Sequence, residues 1–423
     1  MPPRPPDLRI DDLARPRLPP ELLAGRPAAE EAAKALVFRV DALCEQAARE
    51  TGLTDFGEDR YSEPYAVLLA ALECDRGLSP LGRVSTHAQL VQFLKNRLLF
   101  EELWKRNPEI GKVEIRAPIV IAGLPRTGTT HLHNLMAADP GLRSLPWWES
   151  LEPVPPLAEQ GLSFAVDPRI ERAAVGIAMR NAVMPHFDRM HDMYVDHVHE
   201  EIHLLAIAGS TMLFETLAPL PAWREWYLGT DQTPWYAYLK RILCALTFLR
   251  GGERWVLKSP QHLEQFGPLL AAFPDATVIV THRDPVSITA SFATMIAYGA
   301  RMSRDPVDPP ALGRYWAERI ERMLRACVAD RGKLPARQSL DVRFDEFMAN
   351  DIAMVRKIYA LATRPWTGEV EAAMHAFMRE HPRGKHGRVI YDLADFELDR
   401  ASLRRSLAFY VERFGVALEE NAA

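Results

Sequence analysis

The chain has 423 residues, a formal net charge of −5 and a sequence pI near 6.3. That balance excludes a nucleic-acid binder held mainly by phosphate contacts, while the length allows a large core and two or three domains. Four scattered cysteines, Cys44, Cys74, Cys244 and Cys327, contain no CxxC pair and read as buried thiols in a reducing compartment, not a disulfide or zinc framework.

The first 27 residues are rich in Pro and Arg and are expected to run extended over the surface. They carry too many prolines and charges for a secretory signal. No apolar run approaches the roughly 20 residues needed to span a bilayer, so the cytoplasm is the expected location. From Pro27 to about Arg106, Ala, Glu and Leu recur at three- and four-residue spacings, which predicts a helical N-terminal region over 1–114.

The next stretch, residues 118–132, organises the chain. Three β-branched residues, Ile119 to Ile121, lead into Gly123-Leu-Pro-Arg-Thr-Gly128, and an apolar helical pattern restarts at Leu132. Strand, tight loop and helix form the setting in which backbone N–H groups and a helix N-terminus bind phosphate. The spacing of Gly123 and Gly128 fits a phosphate-binding loop, with Thr129 and Thr130 following. However, Thr129 stands where nucleotide triphosphatases carry the lysine that meets the β- and γ-phosphates. The cation available in the loop is Arg126.

Residues 144–195 are rich in Pro, Met and aromatics, composition that suits either irregular core or the wall of an apolar binding pocket. Asp196-His-Val-His-Glu-Glu-Ile-His203 is the most unusual polar cluster. His199-Glu200-Glu201-Ile202-His203 fits the HExxH zinc-protease pattern letter for letter, and a general-base role for the glutamates is the competing reading. A helix beginning at Glu200 and Glu201 is expected to run on towards Leu213.

Two aromatic helices are predicted over 223–238 and 239–250. A second strand–loop unit follows at 254–262, then a helix over 263–273, a strand over 277–282, the turn Arg283-Asp-Pro285, and a helix through Ser287 and Ser291. Alternating strands and helices predict an α/β fold with a parallel sheet covered on both faces. Binding groups then gather at the strands' C-terminal ends, where Arg126, Lys258 and Arg283 all fall. A short strand at 340–344, a helix over 345–362 and the basic loop His381-Pro-Arg-Gly-Lys-His-Gly-Arg388 complete the pattern. That loop is either a solvated charge cluster or a clamp on an anion.

Together these motifs resemble the sulfotransferases that use 3′-phosphoadenosine 5′-phosphosulfate (PAPS), especially a bacterial branch with a long helical N-terminus. Gly123-Leu-Pro-Arg-Thr-Gly-Thr-Thr130 looks like the family's 5′-phosphosulfate loop. Arg283-Asp-Pro, with Ser291 eight residues beyond, looks like its 3′-phosphate grip, and Lys258-Ser-Pro occupies the place of a family lysine motif. The loop 383–388 is similar to its nucleotide-covering segment. The resemblance spans roughly residues 115–390. It implies a P-loop-like three-layer domain over 115–423, with a helical insertion at about 144–250 and helical regions at both ends.

The resemblance further implies that amides of Thr127, Gly128 and Thr129 cradle the 5′-phosphate, with the hydroxyls of Thr129 and Thr130 assisting. Arg283 and Ser291 would hold the 3′-phosphate. Arg383, Lys385, His386 and Gly387 would cover the nucleotide, and Arg126 and Lys258 would stabilise charge on the transferring group. Two departures stand out: many family members carry Lys where Arg126 stands, and some place a catalytic His where this chain has Pro260. The base must then lie elsewhere, with Glu201 and Glu200 first and His199 or His262 as alternatives.

The expected reaction moves a sulfuryl group to a hydroxyl of a small apolar alcohol or phenol, without a metal, transmembrane segment or nucleic-acid partner. Association into a homo-oligomer is compatible with the sequence. The competing readings are a P-loop-type kinase or nucleotidase, a non-catalytic nucleotide-binding protein, and a zinc hydrolase at the HExxH stretch.

Overall fold

The computed structural model describes residues 5–419. Strand β1 (Leu8–Arg9) pairs in parallel with β6 (Val389–Ile390) and ties the N-terminal stretch to the C-terminal region. Four further strands, β2 (Ile119–Ala122), β3 (Val256–Lys258), β4 (Thr277–His282) and β5 (Ser339–Arg343), form a parallel sheet in the order β3-β2-β4-β5. Every residue of β2, β3 and β4 is buried, as required when helices cover both faces.

The period-two alternation of each strand divides its side chains between two cores. Ile119, Ile121, Val256 and Ile279 pack with Leu132 and Leu135 of the helix Thr129–Ala137 and with Val355 and Ile358 of Asp351–Leu361. Val120, Ala122, Leu257, Val278 and Val280 face the other way. They share one continuous cluster with Leu90, Leu94 and Leu98 of the 27-residue helix Pro80–Arg106 and with Leu239 and Leu243 of Thr233–Arg250. The result is the α/β fold with a covered parallel sheet that the alternation of strands and helices predicted, P-loop-like as the resemblance implied, with the N-terminal helices packed into the core of the sheet.

Several boundaries differ from the sequence reading, each for a local reason. The helix expected from Glu200 starts at Ile202 and stops at Ala208, where Gly209 takes a left-handed conformation with φ of 116°. The region 345–362 is two helices, because Asn350 breaks the first and its side-chain oxygen accepts from Ala353 N at 3.0 Å to cap the second. The aromatic helices divide earlier than expected, Pro221–Gly229 ending before Thr233–Arg250 begins. The N-terminal stretch includes a helix, Pro20–Ala24, beside its extended strand. Among the Met-rich residues, Met184 and Met190 fill a core with Ala293, Ala297 and Tyr298. No helix among the described residues is long and apolar enough to cross a membrane.

A buried ion cluster fixes the segment behind β3. Arg319, fully buried on the helix Pro309–Asp330, donates from Nε to Glu215 Oε1 at 2.8 Å and from Nη1 to Glu264 Oε2 at 2.7 Å. Tyr315 adds a 2.7 Å hydrogen bond to the second oxygen of Glu215. Removing the guanidinium strands two buried carboxylates, so Arg319→Met is expected to cost about 3–5 kcal/mol of unfolding free energy. Urea denaturation checks this, and a loss below about 1 kcal/mol would mean that the cluster does not hold the segment.

Candidate active site

The strand β2 passes directly into Gly123, where no side chain fits. A Cβ there would lie 1.8 Å from Thr281 Oγ1 on β4. The loop then turns through two left-handed residues, Arg126 with φ of 75° and Gly128 with φ of 86°, and Gly128 opens the helix Thr129–Ala137. Thr127 is a brace: its buried hydroxyl lies 2.7 Å from both Leu124 O and Thr281 Oγ1. Thr129 is buried beside it and Thr130 is half-buried.

Parallel pairing of β2 with β4 places Arg283 at the same end of the sheet as this loop. Asp284 caps the helix Pro285–Gly299, accepting from Val286 N at 2.9 Å, and Pro285 supplies its first turn. Arg283 Nη1 donates to the carbonyl of Arg126 at 2.7 Å, and its guanidinium lies over the Phe344 ring, 4.2 Å from the centroid. Arg126 in turn donates from Nε to Ser291 Oγ at 2.8 Å, from Nη2 to Tyr391 Oη at 3.1 Å and from Nη1 to Met190 O. The two motifs thus meet in one cavity of about 470 Å³, lined by Arg126, Arg189, Arg283, Arg388, Ser287, Ser291, Tyr391 and Glu419. Four guanidinium groups around one carboxylate make a site for a multiply charged anion.

Lys258 ends β3 and is 2% exposed. Its ammonium pairs with Glu200, and its backbone N–H donates to Glu201 Oε2 at 2.9 Å. Glu201 is buried, its other oxygen against His262 Nε2, and His262 Nδ1 meets the Tyr236 hydroxyl at 2.8 Å. Burial opposes charge on Glu201, but the facing His262 and the Lys258 N–H outweigh it and hold the carboxyl below the usual carboxylate range. Both of its oxygens are therefore committed to protein partners. Glu201 stands at the N-cap, ahead of the helix that was expected to begin at Glu200 and Glu201. The helix begins one residue later, at Ile202, and the glutamate turned towards the lysine ammonium is Glu200.

The HExxH letters do not form a helix face, since His199 precedes the helix that carries His203. Residues 145–148 instead pair with 195–199: Trp147 N donates to His197 O at 2.8 Å, and His199 N to Leu145 O at 2.7 Å. The His199 ring stacks on His203 with centroids 4.8 Å apart and meets Trp147 edge-on at 4.4 Å. Neither of its nitrogens has a hydrogen-bond partner within the protein. Among the described residues no group of three or more His, Cys, Asp and Glu has a metal-holding arrangement. Burial, reinforced for His197 by Lys258, lowers the His197 imidazole to about 3, and burial alone lowers that of His203 to about 4.

The basic loop 383–387 brings its cations to carboxylates of the protein. Arg383 donates to Asp351 at 2.8 Å, while Lys385 and His386 share Asp192, the latter at 3.1 Å. Gly387 takes a left-handed φ of 79°. Sequence reasoning gave no site role to Arg189, Tyr391, Glu419 or Tyr236, none of which lies in a recognisable motif, nor to Ser287, which lies inside the 283–291 stretch. Arg388 closes the basic loop and was within reach of it.

A family model described as the sulfotransferase family matches residues 118–368, more than half of the chain, and the chain belongs to that family. Among solved structures it is similar to sulfotransferase STF1 from Mycobacterium tuberculosis H37Rv, at 29% identity and a TM-score of 0.75, over 88% of this chain and 98% of that one. It is also similar to sulfotransferase STF9 from Mycobacterium avium, at 25% identity and a TM-score of 0.81, over 91% and 99% of the two chains. No curated protein matches it.

The buried imidazoles set a pH dependence. In the unfolded chain each titrates near 6.5, whereas His203 stays neutral in the fold to about 4 and His197 to about 3. Below about pH 6.5 the unfolded state therefore binds protons that the folded state refuses, and stability falls as pH falls. Each imidazole is expected to cost about 2 kcal/mol between pH 7 and pH 5. His203→Gln should flatten the unfolding free energy over that interval by about this amount, measured by urea denaturation at each pH; an unchanged slope would exclude His203 as a contributor.

Proposed function

We propose that this chain transfers a sulfuryl group from PAPS to the hydroxyl of a small apolar alcohol or phenol. The observation that carries the reading is the meeting of Arg126 and Arg283 in one four-arginine cavity at the C-terminal ends of β2 and β4. A bisphosphorylated nucleotide has two separated anionic ends; the cavity offers Arg283 with Ser291 for a 3′-phosphate, and Arg126 on its wall leads into the 126–130 loop proposed for the 5′-phosphate. The Walker lysine is not needed, because no triphosphate–magnesium unit has to be clamped.

In the transfer, a base takes the acceptor's hydroxyl proton, the acceptor oxygen bonds to sulfur, and the sulfur–oxygen bond to the phosphate breaks, leaving the bisphosphate. Lys258 and Arg126 offset charge on the moving group and on the departing phosphate oxygen. Glu200 is the proposed base. It is the carboxylate against the Lys258 ammonium, and a lysine drawn towards the transferring group leaves it free to accept a proton. Glu201, His262 and Tyr236 hold the end of β3 in place. Trp147, Tyr194 and the neutral imidazoles supply an aromatic, uncharged wall suited to an apolar acceptor.

Adenosine 3′,5′-bisphosphate is expected to bind and raise the melting temperature well above the effect of AMP. Arg283→Ala should weaken the bisphosphate by about 1.5–3 kcal/mol and AMP much less. Equal binding of the two nucleotides by the unaltered protein, read by calorimetry, would refute the donor assignment.

For the base, turnover is measured with 4-nitrophenol as acceptor. Glu200→Gln is expected to keep bisphosphate affinity and lower turnover by roughly 10²–10⁴. Glu201→Gln should chiefly lower the melting temperature. A folded Glu201→Gln protein that loses as much turnover as Glu200→Gln would move the assignment back to Glu201.

A further inference from the structure

One carboxylate reaches the arginine cavity from a remote part of the chain. Glu419 follows the helix Ala408–Phe414 by five residues, after a left-handed turn at Gly415 with φ of 60°. Its backbone is clamped: Glu419 N donates to Asp284 Oδ2 at 2.8 Å, and Arg404, which holds both oxygens of Asp284, also donates to Glu419 O at 3.3 Å. The clamp aims the side chain at Arg283, whose Nε and Nη2 donate to the two carboxylate oxygens at 2.6 and 2.9 Å. A planar, bidentate guanidinium–carboxylate pair has the geometry in which guanidinium also grips phosphate.

A second observation comes from the same wall. Ser287 stands on the helix Pro285–Gly299 one turn before Ser291, is 4% exposed and lines the cavity. Its hydroxyl has no hydrogen-bond partner within the protein, whereas that of Ser291 already accepts from Arg126. Buried hydroxyls are seldom left unpaired, because the lost hydration is not repaid. A carboxylate has two oxygens, and here Arg283 takes both. A phosphate has three terminal oxygens in a tetrahedral arrangement, so one remains after the bidentate contact.

We propose that the Glu419 carboxylate is a built-in occupant of the 3′-phosphate subsite, displaced when the donor binds, and that Ser287 is the hydroxyl that the phosphate engages in its place. This rests on the donor reading above. The device keeps the Arg283 guanidinium paired when the donor is absent, and it does so by lowering the affinity of 3′-phosphorylated nucleotides alone. A nucleotide lacking that group has nothing to exchange for the carboxylate, while one carrying it must compete with the protein's own side chain. Apparent donor affinity is then reduced by the fraction of molecules in which the side chain is engaged.

The test is calorimetric titration of the full chain and its Glu419→Gln, Ser287→Ala and Arg283→Ala variants with adenosine 3′,5′-bisphosphate and with AMP. Glu419→Gln is expected to tighten the bisphosphate about tenfold, as for a subsite engaged about nine-tenths of the time, and to leave AMP unchanged. Ser287→Ala should weaken the bisphosphate about tenfold, the loss of one charge-assisted hydrogen bond, with AMP and the melting temperature unchanged. An unaltered or weaker bisphosphate affinity in Glu419→Gln would overturn the occupancy, as would equal tightening of both nucleotides, which is the mark of a general charge effect. Unchanged bisphosphate affinity in Ser287→Ala would overturn the second half. If Arg283→Ala leaves bisphosphate binding intact, the donor reading itself fails; if only Glu419→Gln is silent, the donor reading stands without the occupant.

Discussion

The hydrogen bond from Arg283 Nη1 to the carbonyl of Arg126 is the joint on which the site depends. It is available because β2 and β4 are parallel neighbours in register, Ile119 opposite Thr277 and Ala122 opposite Val280. Two motifs more than 150 residues apart in sequence therefore leave the sheet side by side. The close approach has a steric condition as well. Thr281 Oγ1 sits where a side chain on residue 123 would be, so glycine is required there and the loop must turn at once. Sheet order, the glycine and the arginine pair are consequences of one another.

Gathering positive charge at one end of a sheet is unfavourable unless something answers it. The protein answers it with local carboxylates: Glu419 on Arg283, Asp284 on Arg404, Asp351 on Arg383, and Asp192 on Lys385 and His386. Arg283, Arg404, Arg383 and Lys385 thus each have a carboxylate partner. On the proposed function, an anion reaching Arg283 would exchange with a carboxylate already in place. The same holds at Lys258, where Glu200 neutralises an ammonium that is almost fully buried.

This exchange logic explains which parts of the site were legible in the sequence. The 123–130 loop, Arg283-Asp-Pro and Lys258-Ser-Pro are local patterns, each punctuated by Gly or Pro at a strand end, and local patterns survive in one dimension. Their carboxylate partners do not. Asp192 and Lys385, or Arg283 and Glu419, are separated by well over 100 residues and carry no shared signal. The start of the helix after Glu200 and Glu201 was hidden for a different reason. Helical periodicity was extended back through Glu200, but the helix starts at Ile202, so the two adjacent glutamates diverge by loop geometry: one into the Tyr236–His262 network and one onto Lys258. The HExxH letters fail for the same reason. The motif carries meaning only on a helix, and its first histidine is not on one.

Arg126 shows why a departure from the family's usual lysine is intelligible. A non-glycine residue with φ of 75° is held in a costly conformation, on the order of 1–3 kcal/mol, which persists only when its surroundings over-determine it. Here they do. The carbonyl accepts from Arg283, and the three guanidinium nitrogens serve Ser291 on the helix Pro285–Gly299, Met190 in the Met-rich segment, and Tyr391 beside β6. A lysine ammonium, one point of charge at the end of an unbranched stem, could not span three such separate elements. The planar fork makes the residue at once the cation of the 123–130 loop and the tie between the sheet, the Met-rich segment and the C-terminal region. Charge placement and loop strain are therefore settled by the same side chain.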